Sequence, residues 1–109
     1  MSKKIRNEEL LMNTSKLKEL IKEREQIDAQ NDVLTEESHN EQFELLSNNL
    51  QETMDFFNTC SYEEFYWVSE LFERLSEHFK SQELIDCMES NAKRTGVDCA
   101  IDINNLTHV

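Results

Sequence analysis

Hydrophobic positions recur every three or four residues along most of this chain, and that period, with the capping residues between, predicts four helices. The first covers about 7–29, where Leu10, Leu17, Leu20, Ile21 and Ile27 share one side. Its other side is rich in Lys and Glu, and the like-charged pair Glu19–Glu23 offers no local support. Asn13, Thr14 and Ser15 are weak helix formers, which leaves open a shorter helix capped near Ser15. The second covers about 36–58, after Thr35 as N-cap, with Glu36 and Glu37 at the end that favours anions. Phe43, Leu46, Leu50, Met54 and Phe57 make the cleanest stripe in the chain, opposite Glu44, Asn48, Gln51 and Asp55.

The third helix, about 62–80, opens on a capping box in which Ser61 and Glu64 satisfy each other's backbone donors. Phe65, Val68, Phe72, Leu75 and Phe79 form its inner stripe, widened by Trp67 and Leu71. Only Glu63, Glu70, Glu73, Arg74 and Glu77 are left for solvent, so this is the expected central helix. The fourth, about 82–94, starts at Ser81 and buries Leu84, Ile85 and Met88. Lys93 and Arg94 suit its negative end, and Gly96 supplies a left-handed stop. Beyond Gly96 the period becomes two, with Val97, Cys99, Ile101 and Ile103 alternating with polar or small residues. A lone strand has no partner here, so 96–109 is expected to be an extended tail and 1–6 a flexible leader. The predicted fold is all-α: one domain over 1–109, an antiparallel bundle of about four helices.

Composition agrees with helices. The 109 residues include one glycine and no proline, the two usual breakers of regular structure. No apolar run approaches the roughly 20 residues that span a bilayer. The basic opening Lys3, Lys4 and Arg6 is followed by no apolar stretch of the kind secretion signals carry. Three cysteines without close spacing, Cys60, Cys87 and Cys99, then read as reduced thiols in the cytoplasm.

Charge changes the picture most. Acidic residues outnumber basic ones 23 to 11. Residues 1–25 are slightly basic, with seven Lys/Arg against five Asp/Glu, while 26–109 carry four against eighteen. Such a body repels itself and nucleic acid but captures a basic partner quickly. It points to a partner and not to a reaction.

Candidate chemistry is thin. Di-iron bundles use Glu-x-x-His twice, with two further inward glutamates. This chain has that spacing once, Glu36–His39, at a polar helix start, and no metal is expected. The cysteines sit in apolar patterning as small hydrophobes, and an acidic chain opposes the thiolate a catalytic cysteine needs. The carboxylates line outer helix faces, where no shaped cleft separates their pKa values. A single glycine cannot build a phosphate-cradling loop. Lys3, Lys4 and Arg6 make a feeble nucleic-acid arm beside so negative a remainder. Tyr62, Phe65, Tyr66 and Trp67 read as core on a helix with a wide apolar arc. Tyr66 is the exception, because it lies between the inner stripe and the glutamates.

One stretch carries a resemblance. Tyr66 and Trp67 stand before Val68, Ser69 and Glu70, then comes Phe72, then a junction of Lys80, Ser81 and Glu83 into a short helix. Over about 43–92 this resembles the small acidic helical immunity proteins encoded beside bacterial polymorphic toxins of contact-dependent systems. The N-terminal helix is unmatched, and Thr95, Gly96 and Val97 replace a short tyrosine–proline ending. The resemblance implies a stoichiometric inhibitor that covers a toxin's active or substrate site. The residue readings above add the expectation of no enzyme activity, no cofactor, no nucleic acid and no membrane.

Together these readings give an expectation. The contact face is the third helix's glutamate strip with adjoining acids of the second, namely Glu63, Glu70, Glu73, Glu77, Glu52 and Asp55, with Tyr66 as aromatic anchor. The competing expectation is a helical adaptor or a self-assembling structural or phage accessory protein.

Overall fold

Five side chains of the Asn/Ser type each accept a hydrogen bond from the backbone N–H three residues on, and each starts a helical rod. Asn13 caps α1 (Thr14–Gln26), Asn31 caps α2 (Asp32–Leu46) and Asn49 caps α3 (Leu50–Thr59). Ser61 caps α4 (Tyr62–Val68), which runs through a 3₁₀ turn (Ser69–Leu71) into α5 (Phe72–Phe79) as one central rod. Ser81 caps α6 (Gln82–Thr95). The structure, a computed structural model, describes residues 13–98, and among these there is no strand. The leader and the tail beyond Asp98 lie outside the described residues.

The expected helix over 36–58 is two helices. It begins earlier than Thr35, on Asn31, and breaks at Ser47–Asn49. Ser and Asn compete with a helix by bonding nearby backbone, and here they do so: Asn49 Oδ1 accepts from the Glu52 N–H at 3.0 Å. Thr53, buried on α3, donates its hydroxyl back to the Leu46 carbonyl and closes the turn. The apolar stripe hides this break, since Leu46 and Leu50 keep helical spacing across it. The shorter form of the first helix is the one present, with Asn13 accepting from the Lys16 N–H at 3.0 Å. The capping box at Ser61 and Glu64 forms in both directions, at 2.9 and 3.2 Å.

Three phenylalanines hold the centre. Phe57, Phe65 and Phe72 are fully buried, and their ring centroids are 5.2 to 5.7 Å apart in tilted and edge-on pairs. Around them pack Leu17 and Ile21 of α1, Leu46 of α2, Val68, Leu71 and Leu75 of the central rod, and Leu84, Ile85 and Met88 of α6. Helix α1 packs against α2 and α4, while α6 packs against α3, α4 and α5. Phe79, expected in the inner stripe, is only half-buried at the end of its helix.

One polar side chain sits within this core and another braces it from the surface. Gln42 is fully buried and donates to Ser38 at 3.0 Å, while its Oε1 has no hydrogen-bond partner. Arg94 lies in the last turn of its helix, as the sequence predicts, and does more than complement that end. It reaches across to α3, donating Nη2 to the carbonyls of Phe57 and Cys60 at 2.9 and 2.8 Å. Those are carbonyls a helix C-terminus leaves unpaired, so Arg94 caps one helix from another.

Candidate functional site

The central rod's outer strip is divided by the fold. Glu70, Arg74 and His78 recur every four residues, and all three reach α2. Arg24 of α1 donates Nε and Nη2 to the two oxygens of Glu70, each at 2.9 Å, and Nε2 of His39 lies 2.9 Å from Glu70 Oε1. Arg74 donates to Asn40 at 2.9 Å and lies over the Phe43 ring at 4.1 Å. His78 donates Nε2 to the Ser47 carbonyl at 2.9 Å, and its ring meets Phe43 edge-on. Glu70 is therefore a strut joining α1, α2 and the central rod. The sequence does not reveal this, because its partners lie 46 and 31 positions away.

Glu63, Tyr66, Glu73 and Glu77 remain on the outer side, all exposed. None of these three carboxylates forms a salt bridge with a described residue. Tyr66 is 47% exposed and Tyr62 is 52% exposed. Their rings are parallel to within 9°, with centroids 6.5 Å apart. Tyr62 was expected in the core; its place one turn before Tyr66 puts it on the same outer side instead. Phe65 is buried as expected, and Trp67 is half-buried beneath Arg24, whose guanidinium lies 4.9 Å from the indole centroid.

The last two candidate acids are on α3. Asp55 is exposed and accepts from Gln51 at 2.9 Å. It faces α6, where its charge adds to the burial that raises the Cys87 thiol. Glu52 is half-buried, its N–H held by Asn49. Glu52 and Asp55 are carried by α3 and the other five candidates by the central rod, so the seven are spread over different helices.

No protein-family model, curated protein or solved structure matches this chain.

The remaining chemistry is structural in character. Cys60 is buried, and desolvation pushes its thiol up to about 11 despite the nearby Arg94 charge. Cys87 is half-buried beside Asn58 and Asn91, and burial raises its thiol too, which suits filler and opposes a nucleophile. Among the described residues no three His, Cys, Asp or Glu side chains converge as metal ligands. An open groove of about 570 Å³ between α1 and α2 is lined by Lys16, Leu20, Glu41, Glu44, Leu45 and Asn48, with no paired base and nucleophile. No described helix is long and apolar enough to cross a membrane.

Proposed function

We propose that this chain is an immunity protein that binds a cognate bacterial toxin domain in the cytoplasm and neutralises it. An acidic face covers a basic active-site cleft, and no chemistry is performed. The observation that carries this reading is the outer side of the central rod: Glu63, Glu73 and Glu77 are exposed, lack salt bridges to described residues, and flank an exposed tyrosine pair. A surface of one sign attracts a partner of the other and speeds their encounter, to about 10⁸–10⁹ M⁻¹s⁻¹ at low salt. Glu70 contributes by fixing the rod's position, while Glu52 and Asp55 extend the negative field along α3. The all-helical body described over residues 13–98 is the scaffold of this reading.

Co-expression with the C-terminal domain of the protein encoded immediately upstream tests it. Arrested growth should be restored by the wild-type chain and not by the charge reversal Glu63→Lys, Glu73→Lys, Glu77→Lys. Absence of toxicity, or rescue that survives the reversal, contradicts it.

A second reading rests on Val33 and Leu34 at the start of α2, which are 68% and 45% exposed. An apolar pair at a helix start suits a self-associating adaptor. In that case the chain alone would form oligomers whose mass does not change with salt.

A further inference from the structure

The chain already contains one complete arrangement for holding a guanidinium. Arg24 lies 4.9 Å from the Trp67 ring centroid while both its fork positions donate to Glu70 at 2.9 Å. An aromatic face and a carboxylate together select arginine, whose planar cation stacks and forks at once. A second pair, Arg74 over Phe43, repeats the aromatic half. Trp67 in turn meets Tyr66 edge-on, with centroids 5.0 Å apart.

On the outer side of the same rod the same ingredients recur without an internal cation. Tyr62 and Tyr66 stack in parallel and are about half exposed, and neither carries a cation–aromatic contact with a described residue. Glu63 lies one turn before Tyr66, and Glu73 and Glu77, also exposed, follow on the same rod beyond its 3₁₀ turn. Carboxylates along a tyrosine ledge complement a basic segment, and the ring faces favour arginine over lysine within it. We infer that the Tyr62–Tyr66 ledge is an arginine-reading site, which docks an arginine-bearing segment of the protein partner over its rings with Glu63 and Glu73 as the carboxylate forks. This rests on the binding reading above and names the side chain that the partner must supply. A lysine contact would satisfy the charge but lack the planar stacking and two-pronged fork that a guanidinium adds.

Oligo-arginine and oligo-lysine peptides of equal length are the probes, titrated into the full chain while the Tyr62 and Tyr66 ring signals are followed by NMR. The site requires about fivefold tighter binding of the arginine peptide and shifts in both tyrosine rings. Tyr62→Ala with Tyr66→Ala should abolish the preference by weakening the arginine peptide about fivefold more than the lysine peptide, while Tyr62→Phe with Tyr66→Phe should keep it. Circular dichroism establishes that each variant is folded. Equal, salt-sensitive binding of both peptides would overturn the arginine site and leave the acidic-face reading standing. A preference that survives the double alanine change would overturn it in the same way. If neither peptide bound at low salt, both would fall.

Discussion

Arg24 and Glu70, 46 positions apart, form a two-pronged ion pair with both N···O distances at 2.9 Å, and the arginine side chain is only 11% exposed. This contact ties α1 to the 3₁₀ turn of the central rod, and His39 brings α2 to the same carboxylate. Removing Glu70 leaves a nearly buried guanidinium with no anion. Glu70→Gln should therefore destabilise the fold by about 1–3 kcal/mol, measured as a lower urea midpoint. A change within error would mean that the pair is a surface decoration.

Arg94 gives a second test of packing across helices. Arg94→Ala strands the Phe57 and Cys60 carbonyls and the Asn91 side chain, and should cost about 1–3 kcal/mol. Arg94→Lys should recover less than half of that, because one ammonium nitrogen cannot occupy the two positions, Nε and Nη2, that serve Asn91 and the two carbonyls. Equal stability of the Lys and wild-type chains in urea titrations would contradict the capping role.

Much of this fold is readable in the sequence, and what is not readable has two physical causes. Local signals worked: the Ser61–Glu64 box, the Ser81 cap and the stop at Gly96, which has φ 87°, are where their chemistry places them. Of the inner stripe, Phe65, Val68, Phe72 and Leu75 are buried and Phe79, at the helix end, is half-buried. The break at Ser47–Asn49 was missed because the hydrophobic period continues across it. The cross-helix partners of Glu70, Arg74 and Arg94 are not legible, because a charged residue's partner on a distant element leaves no trace in local spacing. Tyr62 was legible in principle, since it sits one turn from Tyr66. The candidate face itself follows from spacing; what the fold adds is which of its acids are already engaged.

Gln42 should be improvable. Its buried Oε1 lacks a donor, so replacing the pair together, Gln42→Leu with Ser38→Ala, removes an unsatisfied group and its neighbour. The double variant should match or exceed wild-type stability, by up to about 1 kcal/mol. A large loss in the urea midpoint would mean that the amide has a partner.

The Cys60 thiol predicts a pH effect. Its usual value is 9.0 and burial raises it to about 11, so over that window the unfolded chain releases a proton that the native one keeps. Stability contributed by the neutral thiol is complete below the lower value and is lost as pH rises to the upper one. The wild-type urea midpoint should therefore fall more steeply across this window than that of Cys60→Ala. Parallel profiles would show that the thiol is not desolvated.

The central claim is that a preformed anionic face captures a cationic protein. Stopped-flow association of the purified chain with its toxin domain, across salt from about 0.05 to 0.5 M, tests it most directly. The account predicts an association rate that falls about tenfold or more over that range, and falls far less for Glu63→Gln, Glu73→Gln, Glu77→Gln. A rate indifferent to salt, with the triple variant indistinguishable from wild type, would contradict it.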